Sequence, residues 1–199
     1  MAPVVLGTED ELSEAVGMRL LAEHVEALHV STLLRRSGFG YLRSNIDRWR
    51  QLAKRQAVVL ITDLDRLACP VLLLNDWLGV QPQPENLLLR VAVHEVEAWL
   101  LADHEAMQIL LGGRGRLPLE PERFPDPKQH LLSLAKRAPR DVRLDLVKEA
   151  GSVSSQGLGY NARLTDLVKS HWSPERAAQR SPSLARTRHS FAALAERLR

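Results

Sequence analysis

The chain has little of what marks several large classes of protein. It holds one cysteine, Cys69, so no disulfide framework is available and a reducing, cytoplasmic setting is expected. Its apolar runs stop well short of the roughly 18 residues a membrane span needs. The opening stretch MAPVVLGTEDE carries neither a basic n-region nor a long apolar h-region, which argues against a secretory leader. No glycine-rich phosphate loop follows any apolar run: Gly7 stands alone in front of acids, which counts against a doubly wound nucleotide-binding protein. The stretch HEVEA also fails as a zinc-binding H-E-x-x-H, because the fourth position after His94 is Ala98.

What is present fits a globular α/β protein. At 199 residues the chain is long enough for one domain with a sizeable core. PVVLG, LHVSTLL, AVVLITDLD and NLLLRVAV read as four strands, and the apolar runs between and after them read as helices, including residues 40–55 and HEVEAWLLADHEAMQILL. The Ala57 to Ile61 run is apolar at every position, as expected of a central strand covered on both faces. Thr8 and Glu11 have the spacing of a capping box. The alternation predicts a mostly parallel sheet of about four strands flanked by helices over residues 1–111. Residues 112–199 begin in a Gly- and Pro-rich loop and continue with helical patterns only, a helical extension expected to pack on the core. Ser181 and Pro182 should separate its last two helices.

Acids follow three of the four strands. Asp63 and Asp65 end the third and would point together if the extended geometry persisted. Such a pair can hold Mg²⁺ or Mn²⁺ through oxygen ligands; equally, Asp63 can cap a turn while Asp65 stays solvated or pairs with Arg66. Glu9, Asp10 and Glu11 follow the first strand, where acids also suit a helix start. His94, Glu95, Glu97 and Asp103 surround the fourth strand's junction with its helix. Convergence of these clusters on one sheet edge would make a metal-binding site. Arg43, Arg50 and Lys54, beside Tyr41 and Trp49, are candidate nucleic-acid contacts, or else the solvated face of an amphipathic helix. From Tyr160 onward eight Lys or Arg face three acids, which leaves a basic C-terminal region on a slightly acidic body.

The succession VVLITDLDR, VAVHEVEAWLLAD, DPKQHLLSL and SPSLARTRHSF resembles a bacterial family that carries only a domain-of-unknown-function label and is regarded as Toprim-like. The wider Toprim group includes topoisomerases, DnaG-type primases and OLD-type nucleases. The resemblance implies a parallel α/β sheet, divalent metal and phosphoryl transfer on nucleic acid, and makes a partner ATPase in an antiphage defence system conceivable. Carried over by position, Asp63 and Asp65 match the D-x-D that holds Mg²⁺. Glu95 and Glu97 match the family's own E-x-E. The group's first acid normally precedes the glycine after the first strand, and Leu6 stands there instead. Either Glu9, or failing it Asp10, serves as ligand or general base, or the protein is a binding or regulatory module that does not cleave.

Overall fold

The computed structural model describes residues 1–35, 40–65, 67–148 and 156–199. In chain order the elements are β1 (Ala2–Thr8), α1 (Glu11–Leu21), β2 (Leu28–Arg35), α2 (Tyr41–Ser44), α3 (Ile46–Ala53), β3 (Ala57–Asp63), α4 (Pro70–Leu78), β4 (Leu87–Ala92), α5 (Val96–Ala102), α6 (His104–Leu111), α7 (Pro127–Ala135), α8 (Arg140–Leu146), α9 (Tyr160–Ser170), α10 (Pro174–Ala178) and α11 (Pro182–Arg197). Short 3-10 turns add Ala22–His24 and Pro121–Arg123.

The four strands form one parallel sheet in the order β2-β1-β3-β4. Because side chains alternate across a strand, β3 feeds two cores: Val59 and Ile61 join Leu6, Leu12, Val16 and Leu20 on one face, while Val58 and Leu60 join Leu42, Trp49, Ala53 and Leu73 on the other. Helix α1 thus covers one face, and α3 and α4 the opposite one. Gly17 lets α1 lie close to the sheet, since a Cβ there would sit 2.9 Å from the Leu6 methyls. The chain steps from β1 to β2 on one side and then returns to place β3 on the other. Strand order therefore reverses between β1 and β3, and the crevice beyond their carboxyl ends is where open α/β sheets bind ligands.

The helical extension has no core of its own. Leu131, Tyr160, Leu164, Trp172, Leu184 and Phe191 belong to the same buried cluster as α1 and the sheet. Helix α9 packs on α1, α7 on α5, and α11 on β4. Polar ties fix these contacts. The Trp99 indole N–H donates to Ser183 Oγ at 2.7 Å, and the Trp172 indole N–H donates to the Trp99 carbonyl at 3.1 Å. Glu122 accepts from the Ser183 N–H at 2.9 Å and from Ser183 Oγ at 2.7 Å. HEVEAWLLAD and SPSLARTRHSF are thus the two sides of one interlock.

Several boundaries differ from expectation for local reasons. The helix expected through HEVEAWLLADHEAMQILL breaks at Asp103, whose extended backbone starts α6 while its carboxylate accepts from the Ala106 N–H at 3.4 Å. That carboxylate is fully buried and also accepts from the Ser173 N–H at 2.7 Å and from Arg176 through Nε at 2.8 Å and Nη2 at 2.7 Å. The helix expected over 40–55 is two, parted at Asn45, whose amide donates to the Tyr41 carbonyl at 2.8 Å. The capping box does not form: Asp10 caps α1 by accepting from the Ser13 N–H at 2.8 Å. Helix α8, which the sequence pattern does not distinguish, is tied to α9 by Arg163 against Asp141 and Asp145. Ser181 caps α11 and Pro182 opens it, as expected.

Replacing Arg176 with methionine strands the Asp103 carboxylate in the interior. The expected cost is about 3 kcal/mol, the low end for a broken buried ion pair. Urea unfolding should read it as a lower midpoint at unchanged slope; a midpoint equal to wild type would show that the pair contributes nothing.

Candidate functional site at the carboxyl edge of the sheet

Two neighbouring strand ends supply the first acids. Residue 9 follows β1 directly, and the Glu9 carboxylate accepts a hydrogen bond from Thr62 Oγ1, a buried hydroxyl on the adjacent β3. Asp63 closes β3, and its Oδ1 accepts from the Val96 N–H at 3.0 Å, an otherwise free amide in the first turn of α5. One strand end thus reaches the next through Glu9, and β3 reaches α5 through Asp63.

Residue 65 behaves differently. The extended geometry that would align it with Asp63 ends at Asp63: Leu64 turns into the core, and Asp65 takes a left-handed backbone with φ of 51°. Its N–H donates to the His94 carbonyl at 2.9 Å, and His94 is itself left-handed at φ 62°. The turns after β3 and β4 therefore brace each other, and the D-x-D is a strand-end acid followed by a turn acid. Aspartate tolerates this region better than most residues.

The third pair flanks the start of α5. Glu95 accepts from the Lys128 N–H at 3.0 Å, and Glu97, although 4% exposed, accepts from the Tyr160 hydroxyl at 2.8 Å. Lys128 Nζ lies 3.8 Å from the same Glu97 oxygen. Lys128 and Tyr160 come from α7 and α9, so the extension closes one side of the acidic edge.

These carboxylates act on one another. The Asp63 carboxyl lies well above the usual range, first because burial desolvates it and then because Glu97, Asp10, Glu9 and Glu95 surround it with like charge. Glu9 is raised by burial, against its bond from Thr62, with Asp65 and Asp10 adding repulsion. Burial likewise raises Glu95 and Glu97, with Lys128 opposing. The Tyr160 phenol is pushed far up by burial beside Glu97 and stays a donor. The structure thus brings together Glu9, Asp10, Asp63, Asp65, Glu95 and Glu97 at one edge.

Arg50 and Lys54 do not join them. Arg50 is 7% exposed and its guanidinium is committed to carbonyls, donating to Pro82 O at 3.0 Å and to Leu78 O, so its expected phosphate contact gives way to a structural tie. Lys54 follows α3 just before β3 begins, which puts it at the amino edge. A seven-residue strand, about 20 Å long, separates it from the acids. Arg43 is exposed and pairs with Asp76 at 2.9 Å. Trp49 is core, its N–H bonded to Leu42 O at 3.0 Å. Cys69 occupies the cap position of α4.

Sequence reasoning missed Thr62, Lys128 and Tyr160. Thr62 had one signal, a hydroxyl inside an apolar strand next to Asp63. The other two lie in helices far along the chain and had none.

An all-oxygen donor set suits a hard cation such as Mg²⁺ or Mn²⁺. Among the described residues no three His, Cys, Asp or Glu side chains already form a cage. Mg²⁺ does not need one, because it is commonly held by one or two carboxylates, waters and substrate oxygens. The hydrogen bonds to Glu9, Asp63 and Glu95 each engage a single carboxylate oxygen. The residues present therefore fit a cation held in this way.

Fold and site together define an α/β protein whose parallel sheet carries an acidic carboxyl edge closed by a helical extension. The chain belongs to the family described as Domain of unknown function (DUF4276), which matches residues 7–190 and so takes in both the edge and the extension. No match was found among curated proteins or among solved structures. Among the described residues no helix is long and apolar enough to cross a membrane.

The raised carboxyls predict an inverted pH dependence. Where the folded-state pKa exceeds the unfolded one, the native state holds more protons, and stability falls as pH rises from the unfolded value, about 4, through the folded one. Asparagine at 63 keeps an acceptor for the Val96 N–H but carries no charge. Asp63→Asn should therefore unfold at a higher temperature than wild type at pH 7.5 in a chelator, and the gap should narrow toward pH 4. Equal melting temperatures at both pH values would mean that the burial and repulsion of the Asp63 charge cost nothing.

Proposed function

We propose that the acidic edge binds Mg²⁺ or Mn²⁺ and that the protein carries out phosphodiester chemistry on nucleic acid, as a Toprim-like nuclease. One observation carries the reading: Glu9, after β1, and Asp63, at the end of β3, meet at the point where strand order reverses. An acid after the first strand and a D-x-D after the third is the order that Toprim likeness requires. Leu6, which has no carboxylate, is instead buried against Gly17. Glu9 takes that role in the proposal.

The division of labour follows from the contacts. Asp63, oriented by the Val96 N–H, and Asp65, on its braced turn, are the proposed ligands, with Glu9 adjoining them. Asp10 is held as the cap of α1 and is the weaker candidate. When bound, the cation supplies charge neutralisation at the phosphate and lowers the pKa of water. Glu9 is raised by burial, which makes it a better proton acceptor than an exposed carboxylate, and it is steadied by Thr62. Glu95 and Glu97 anchor the extension to the edge. The resemblance extends the proposal to a partner ATPase in a defence system, and the single cysteine to a cytoplasmic setting. A second reading, a non-cleaving binding module, draws on Leu6 standing where the Toprim group carries its first acid.

Mn²⁺ titration and cleavage of single-stranded, duplex and supercoiled substrates, with and without candidate ATPases, test the proposal. The paired Asp63→Asn and Asp65→Asn change should weaken Mn²⁺ binding at least tenfold. Glu9→Gln should retain metal yet lose cleavage by about 100-fold, a usual share for a general base. A wild type that binds no Mn²⁺ and cuts nothing would end the nuclease reading.

A further inference from the structure

Lys128 is oddly placed for a lysine. It is the second residue of α7, after Pro127, where the positive end of the helix dipole disfavours a cation. Its backbone N–H is taken by Glu95 at 3.0 Å, and its ammonium lies 5.1 Å above the centre of the Tyr160 ring. That distance is within cation–π range. The side chain is therefore fixed at both ends.

Pairing with Glu97 offsets that buried charge but does not use up the ammonium. Lys128 Nζ stands 3.8 Å from Glu97 Oε1, beyond hydrogen-bond length, and that oxygen already accepts from the Tyr160 hydroxyl at 2.8 Å. An ammonium has three donors, and the Lys128 side chain is 31% exposed beside Glu95 and Glu97. A cation that makes no hydrogen bond among the described residues, at the rim of an acidic edge, suits an anion that enters against the acids. A compact ammonium is a good point-charge partner for phosphate oxygens.

We propose that Lys128 Nζ binds a phosphate oxygen of a nucleic-acid phosphodiester at the acidic edge, so that the helical extension supplies a substrate contact. This rests on the metal-assisted reading above and names its phosphate contact. Of the basic residues first suspected of this work, Arg50 is spent on carbonyls, Lys54 lies at the far end of the sheet and Arg43 is paired with Asp76. Lys128 takes their place.

The test is binding of fluorescein-labelled single-stranded and duplex oligonucleotides by the full chain, read by anisotropy over a salt series in Ca²⁺, with Mn²⁺ affinity measured separately. Lys128→Met should weaken oligonucleotide binding by about tenfold and reduce the slope of log affinity against log salt by about 0.7 to 0.9, the share of one phosphate contact. Lys128→Arg should keep most of the affinity. The pair Lys128→Met with Glu97→Gln separates the roles: a phosphate ligand leaves it as weak as the single variant, whereas a mere counter-charge restores it to wild type and overturns the proposal. Mn²⁺ binding with unchanged oligonucleotide affinity in Lys128→Met sinks the Lys128 assignment and leaves the metal reading standing. Lys128-dependent oligonucleotide binding without Mn²⁺ binding does the reverse. A wild type that holds no oligonucleotide overturns the assignment whatever the metal result.

Discussion

Burial of several carboxylates beside one another is the constraint around which the carboxyl edge is built. Glu9, Asp10, Asp63, Glu95 and Glu97 come from three strand ends, and all four of the others raise the Asp63 carboxyl. At short range such repulsion is worth several kcal/mol even at an effective dielectric of about 20. The surrounding donors answer it one by one: the Ser13 N–H for Asp10, Thr62 for Glu9, the Val96 N–H for Asp63, the Lys128 N–H for Glu95 and the Tyr160 hydroxyl for Glu97. Each bond orients one carboxylate, and none removes its charge. A divalent cation and an incoming phosphate are the chemistry that would balance both sides.

Helix α5 links this edge to the rest of the molecule. Its first turn offers Val96 N–H to Asp63 and presents Glu97 to Tyr160, while Trp99 on the same short helix bonds to Ser183 and Asp103, at its end, bonds to Arg176. Seven residues thus carry the site at one end and the anchor for the extension at the other. The extension in turn positions Lys128 and Tyr160 against Glu95 and Glu97. The packing of α9 to α11 and the geometry of the acids are therefore parts of one arrangement, which explains why HEVEAWLLAD is so closely written: alternate faces of it serve different jobs.

What was legible in the sequence was what depends on local pattern. The all-apolar run of β3, the alternation of strands and helices, the break at Ser181 and Pro182, and the acids gathered after strands all follow from period and turn chemistry. What escaped depends on partners distant in the chain. Asp103 reads as one more polar residue in a helix until Arg176, 73 residues on, makes it a buried helix break. Arg50 reads as a basic surface residue until the carbonyls of Leu78 and Pro82 enclose it. Asp65 looks aligned with Asp63 because alternation assumes an extended chain, and only the carbonyl of His94, at the end of another strand, reveals the turn.

Leu6 and Glu9 show how far an acid can shift along the chain while staying at the same edge. A carboxylate at position 6 would lie inside β1, pressed against Gly17 of α1 among apolar groups, where an unpaired charge is costly. Three residues later the backbone has left the sheet, and a glutamate is long enough to bend back to Thr62 on the neighbouring strand. A parallel sheet presents its strand ends as a row, so the place of an acid in space is set by which strand it leaves and how far its side chain reaches. Its register relative to a glycine matters less. The departure at Leu6 is therefore compatible with an intact set of acids: Glu9 from β1 and Asp63 from β3 lie on adjacent strands, Glu9 oriented by Thr62 of β3 and Asp63 by the Val96 N–H of α5.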